Sequence, residues 1–239
     1  MVGRAAALLI VAAALVAWYE AVPHLSPLQT WPSVAVVALV QMPAVFGLTW
    51  LALPLWRRPA VLAAGVAVLT AATVLFSLLD APVFANLAKF AAVTCLGLLF
   101  LSAFEALSWV VTVALIIPWV DAYSVWRGPT HTITVSHPAV FTDLSIAFVV
   151  PAGGAARLGL PDVMFFALFL GASQRFGLRP PWTWVAMTAG LGATIALTTV
   201  WSTGGLPALP AIALGFLLPN ADLIWRRLAA GRPATRAPT

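Results

Sequence analysis

Apolar residues run along this chain in long blocks, and prolines and glycines separate the blocks without polar faces interleaving. About 20 apolar residues suffice to cross roughly 30 Å of hydrocarbon as a helix. The pattern predicts eight helices, over 5–22, 33–55, 60–79, 83–104, 107–125, 158–173, 182–200 and 206–225. Pro23 and Pro27, Pro54 and Pro59, Pro82, Pro129, Pro180 with Pro181, and Gly204 with Gly205 mark the breaks. Helix is the default because lipid offers an unpaired backbone amide nothing else to bond. The first block follows Arg4 and has something of the form of a cleaved signal peptide. It continues through Trp18 and Tyr19, an interfacial aromatic pair, with no clear small-x-small site after them, so a retained helix is expected.

One segment breaks the pattern. The longest loop, 126–157, contains the short run Ser145, Ile146, Ala147, Phe148, Val149 and Val150, closed by Pro151. Its length and β-branched content suit an extended strand near the membrane surface. A ninth helix through it would carry Asp143 and the Gly153-Gly154 pair into lipid.

Charge agrees with that choice. Hydrophobic residues make up 62% of the 239 positions and charged ones 8%, far from the quarter or so of charge in a water-soluble domain. The whole chain, 1–239, reads as one all-α polytopic membrane domain, with N-terminal helices over 5–104, a chemistry-bearing half over 107–225 and a short basic tail over 226–239. With the N-terminus inside, Arg4, Arg57, Arg58, Arg175, Arg179, Arg226, Arg227, Arg232 and Arg236 fall on the cytoplasmic side, and Lys89, Arg127 and Arg157 outside. This bias of nine to three predicts an even number of crossings, both termini cytoplasmic and the loop 126–157 outside. The net charge of +5 is scattered over short loops and not gathered on one face or run, which argues against nucleic acid as a partner. The partners expected are the bilayer and a membrane-embedded segment; nothing in the chain sets an oligomeric state.

Two aspartates stand out at membrane depth. An ionised carboxylate there costs at least about 2.5–3.5 kcal/mol, so each calls for an explanation. Asp121 lies a little over one turn before the outer end of the fifth predicted helix, and Asp162 about one turn after the outer start of the sixth. Antiparallel neighbours thus bring them to one level. Two carboxylates within a few ångströms cannot both ionise easily and share one proton. The ionised member can then take a proton from water while the protonated one donates to a peptide carbonyl, with no metal or cofactor. Pro118, one turn before Asp121, removes a helical hydrogen bond and exposes polar backbone that admits water. Charge and depth alone leave other readings open: a proton-coupled transporter using the pair as a relay, or a buried structural role.

Neighbouring motifs add to this. Trp119-Val120-Asp121-Ala122-Tyr123-Ser124-Val125, then Leu158-Gly159-Leu160-Pro161-Asp162, then Gly205-Leu206-Pro207-Ala208-Leu209-Pro210 occur in that order. Together they resemble the presenilin and signal peptide peptidase family of intramembrane aspartyl proteases, which carry Tyr-Asp, Gly-x-Gly-Asp and Pro-Ala-Leu on successive late helices. The resemblance implies a presenilin-like helix arrangement, Asp121 and Asp162 as the catalytic pair, Gly159 beside the second of them, and Pro207, Ala208 and Leu209 shaping the site from the last helix. It also implies a transmembrane peptide, a single-pass protein or a signal-peptide remnant as substrate. Val120 stands where the family has tyrosine, Pro161 where it has glycine, and eight helices are predicted where the family commonly has nine. A catalytically silent relative that binds membrane helices is the third reading. A substrate helix must unwind before hydrolysis, and the strand Ser145–Val150 is expected to pair with the unwound segment by β-augmentation.

The remaining polar residues read more plainly. His131 and His137 lack partners at zinc spacing and are expected to be solvated loop residues. Lys89 is placed to snorkel, Glu105 to be hydrated, Asp222 to pair with Arg226 at i,i+4, and Cys95 to serve packing.

Overall fold

A computed structural model describes residues 2–128, 136, 138–151, 154–201 and 206–230. In chain order the elements are α1 (Val2–Ala21), α2 (Thr30–Arg57), α3 (Pro59–Leu78), α4 (Pro82–Phe100), α5 (Leu107–Trp126), the short α6 (Pro138–Asp143), strands β1 (Ser145–Val150) and β2 (Gly154–Gly159), then α7 (Leu160–Arg175), α8 (Pro180–Trp201), α9 (Leu209–Leu217) and α10 (Ala221–Ala230). Helices α1 to α5 and α8 are long and apolar enough to cross a membrane. Helix α7, at 16 residues, spans about 24 Å, and α9, at 9 residues, about half that.

Two expectations change. The block 206–225 is not one helix. Helix α9 starts only at Leu209, with Pro210 in its first turn, where a missing N–H costs no helical bond, and Pro219 turns its end into a 3-10 turn, Leu218–Asn220, before α10. Helix α7 starts two residues later than expected because Leu158 and Gly159 belong to a second strand. That strand, Gly-Ala-Ala-Arg-Leu-Gly, has neither the β-branched content nor the alternation that announces one. It forms because β1 offers an edge: the two pair antiparallel, from Ser145 opposite Gly159 to Val150 opposite Gly154.

Helix α7 is the hub. Val163 and every residue from Phe165 to Ser173 are buried, on all sides of the helix, as a central helix requires. It packs against α4, α8, α9, the end of α2 and, more lightly, α5. Phe166 stacks on Phe46 of α2 with ring centroids 4.0 Å apart, and Phe169 on Phe216 of α9 at 5.0 Å. Water drives no helix association inside lipid, so close packing must do it. Gly97 of α4 is the tightest case: a Cβ there would lie 2.3 Å from the Met164 carbonyl oxygen and 2.9 Å from the Ala167 Cβ. Gly97→Ala is therefore expected to destabilise the fold by about 1–3 kcal/mol. Gly47→Ala, with nothing within 4 Å, is the matched control. Thermal unfolding in detergent reads the difference, and equal midpoints for the two variants would contradict this packing.

The start of α1 and helix α10 lie at one end of the bundle. Arg4 of α1 shares a pocket with Arg57 of α2 and Gln174 of α7, and Arg227 of α10 donates to the carbonyls of Phe176 and Gly177 just beyond α7. The strands lie at the opposite end, against α1 and α4, where Tyr19 and Asn86 reach them.

Candidate active site

Asp162 is the third residue of α7. Gly159 precedes the helix in extended conformation, and its N–H donates to Asp162 Oδ2 at 3.1 Å. This is half of a capping box, since glycine has no side chain to return the bond. A Cβ at Gly159 would sit 3.1 Å from the same oxygen, so any other residue would press on the carboxylate. Pro161 occupies the first turn, where the missing N–H has no helical acceptor to lose, and the helix starts normally through it.

Asp121 sits near the end of α5, and its Oδ2 accepts the Leu209 N–H at 3.0 Å, with a further bond from the Ala208 N–H. These donors are free because they open α9, where the first amides of a helix have no partner within it. Asp121 thus caps a helix that is not its own. Each aspartate faces a helix N-terminus, α7 for Asp162 and α9 for Asp121, where the backbone dipole favours negative charge. The Asp121 charge acts on Asp162, so the two carboxylates are within electrostatic reach of each other. The structure therefore places Asp162 with Gly159 and Asp121 with Ala208 and Leu209, Pro207 directly before that capping pair, and the two carboxylates within electrostatic reach.

The strands complete this end of the molecule. Ser145, Ile146 and Phe148 of β1 are buried, and side chains of the N-terminal helices occupy its edge away from β2. Asn86 of α4 accepts the Ala147 N–H at 2.9 Å and donates to the Ala147 carbonyl at 3.0 Å. Tyr19 donates to the same carbonyl at 2.6 Å, Lys89 to the Ser145 carbonyl at 3.3 Å, and Gln41 to the Val149 carbonyl at 2.9 Å. Gln41 closes a π-helical turn, Val37–Gln41, within α2.

Ser145–Val150 thus forms the expected strand, but one edge pairs with β2 and side chains of α1, α2 and α4 cover the other. The edge that remains is that of β2. In an antiparallel pair, alternate residues turn their backbone groups outward. With Ala147 facing Asn86, its opposite number Arg157 faces away, as do Ala155 and Gly159. Gly159 gives its N–H to Asp162; the outward N–H and C=O groups of Ala155 and Arg157 have no bond among the described residues. The open edge leads directly to the second aspartate.

Other sequence candidates lie elsewhere. Lys89 anchors β1 and is not bonded to either aspartate. Asp222 pairs with Arg179 at 2.7 and 2.8 Å, not with Arg226, because the turn Leu218–Asn220 and the Asn220 amide swing α10 toward the loop before α8. That two-point contact holds the Asp222 carboxyl below its ordinary range and raises the guanidinium. Glu105 is exposed between α4 and α5, and Cys95 is half-buried against Gly65 of α3. His131 and His137 lie outside the described residues, as does Gly205 of the third motif. Sequence reading missed Tyr19, Gln41 and Asn86 as strand anchors. The available signal was an uncharged polar side chain, Gln41 or Asn86, inside an otherwise apolar span.

Compared with protein-family models, with curated proteins and with solved structures, the chain has no significant match in any of the three.

Proposed function

We propose that the chain is an intramembrane aspartyl protease of the presenilin and signal peptide peptidase type, hydrolysing peptide bonds of transmembrane segments or signal-peptide remnants. The observation that carries this reading is the Asp121 carboxylate held by the backbone N–H groups of Ala208 and Leu209 while its charge reaches Asp162. The first and third motifs are joined by the Leu209 bond to Asp121, and the charge of Asp121 reaches Asp162 of the second, which supports a shared role for the three. A proton relay has no evident use for a proline-bounded third segment capping one of its carboxylates.

In the proposed reaction the pair holds one proton. The ionised carboxylate removes a proton from water as the water oxygen adds to the scissile carbonyl carbon, and the protonated carboxyl donates to the carbonyl oxygen. Collapse of the gem-diol breaks the C–N bond: the leaving nitrogen takes the proton the pair holds, one gem-diol hydroxyl gives its proton to the other carboxylate, and a new carboxyl and amine result. The pair is left with one proton, as it began. An unwound substrate adds as a strand to the outer edge of β2 at Ala155 and Arg157, which delivers the next residues of its chain to Asp162. By the positive-inside bias the arginine-rich end is cytoplasmic, and the aspartates act near the outer surface.

A peptide in which a hydroxyl-bearing tetrahedral carbon replaces the scissile carbonyl mimics the gem-diol. It is expected to bind purified protein about 100-fold or more tighter than the parent amide, and to compete with a transmembrane substrate. Equal affinity for the two compounds would count against aspartyl chemistry at this site.

A further inference from the structure

At the opposite end of the bundle from the aspartates, a cavity of about 190 Å³ is lined by Arg4, Trp50, Leu53, Pro54, Trp56, Arg57 and Gln174. It is framed by the first turn of α1, the 3-10 turn that ends α2 and the last turn of α7. At roughly 30 Å³ per water, it has room for several waters or one compact polar group.

Its charge is unbalanced. The Arg57 guanidinium lies 5.4 Å from the centre of the Trp56 ring, and that of Arg175 lies 6.0 Å from it. Arg175 is committed to the Leu101 carbonyl, to which it donates at 2.6 Å. Arg4 and Arg57 have no carboxylate partner among the described residues, whose one ion pair is Arg179 with Asp222. No acidic residue lines the cavity. Guanidinium groups gathered in and beside one cavity repel one another, and an anion between them relieves that repulsion. Arg4 and Arg57 offer forked N–H donors suited to phosphate oxygens, and the Gln174 amide offers two more.

The wall decides which phosphate. Trp50, Leu53, Pro54 and Trp56 belong to the end of a membrane-crossing helix, where indoles mark the headgroup level. Basic pockets between helices at that level suit the headgroups of anionic lipids. We propose that this cavity binds the phosphate of an anionic phospholipid headgroup and so ties α1, α2 and α7 together at the end away from the aspartates. The inference stands independently of the proteolytic reading.

The test is native mass spectrometry of delipidated protein titrated with phosphatidylglycerol or phosphatidylcholine. The parent is expected to retain one phosphatidylglycerol with about tenfold preference over phosphatidylcholine, a gap set by one or two charge-assisted contacts. Arg4→Gln with Arg57→Gln should abolish the preference. Arg226→Gln, which removes a charge from the same end but outside the cavity, should keep it. Gln174→Ala, which leaves every charge in place, should weaken it, and Arg57→Lys should retain part of it, so the outcome does not depend on the double variant folding. Soluble glycerol phosphate should fail to displace the lipid. Unchanged preference in both the double variant and Gln174→Ala, equal loss in Arg226→Gln, or full displacement by glycerol phosphate would each overturn the assignment.

Discussion

Asp121→Asn and Asp162→Asn, made separately, are each expected to lower peptide-bond hydrolysis by about a thousandfold or more, within the range that acid-base groups contribute. The substitution is nearly isosteric. In Asp121→Asn the side-chain amide oxygen still accepts the Leu209 N–H, and in Asp162→Asn it still accepts the Gly159 N–H, so α9 and α7 keep their caps. What disappears is the ability to take, hold and return a proton. Purified parent and variants would be incubated with a transmembrane peptide and the products weighed by mass spectrometry, with thermal unfolding measured beside them. Activity retained by either variant would remove that residue from the pair. A parent that moves protons across vesicles without forming products would join the transporters, and one that binds the peptide without cutting it would be a silent relative.

Arg157→Pro is expected to reduce cleavage at least about tenfold, while Arg157→Ala has a much smaller effect. Proline removes one backbone donor and fixes φ, and in a sheet it is tolerated where its nitrogen faces outward. Arg157 is such a position: its side chain donates to Ser145 Oγ at 3.3 Å, but its backbone faces away from β1. Proline there leaves the β1–β2 ladder intact and takes away only a bond that an added strand would make. Alanine controls for the lost side chain. Phe148→Pro, by contrast, strikes a buried residue whose backbone pairs with β2, so it would damage the site whether or not the substrate binds as a strand. If Arg157→Pro cleaves as well as Arg157→Ala, the substrate does not use this edge.

Much of this site was legible because its parts are chemically conspicuous. Asp121 and Asp162 are carboxylates in apolar surroundings, and Pro207 and Pro210 announce a helix start. Pro161, which departs from the glycine of the resembled family, proves easy to place, since the first turn of α7 asks for no donor at that position. Strand β2 was illegible. Its residues carry no intrinsic preference for extension, and they extend because β1 stands beside them, itself pinned by Asn86, Tyr19 and Gln41 from helices distant in sequence. The choice of Arg179 as partner for Asp222 was hidden for a related reason. Helical spacing favours Arg226, and only the turn at Pro219 brings the loop before α8 within reach.

The sequence by itself determined that the chain is a multi-helix membrane protein with two carboxylates beside its apolar runs and arginines gathered at the breaks between them, because transfer into lipid and charge placement are properties of composition read along a line. Which backbone amides meet those carboxylates, which of two strands keeps an open edge and which guanidinium groups are left without an acid were decided by the tertiary structure alone. Hydrogen bonds and charge pairs act over a few ångströms, and only the folded chain sets distances of that kind between residues many positions apart.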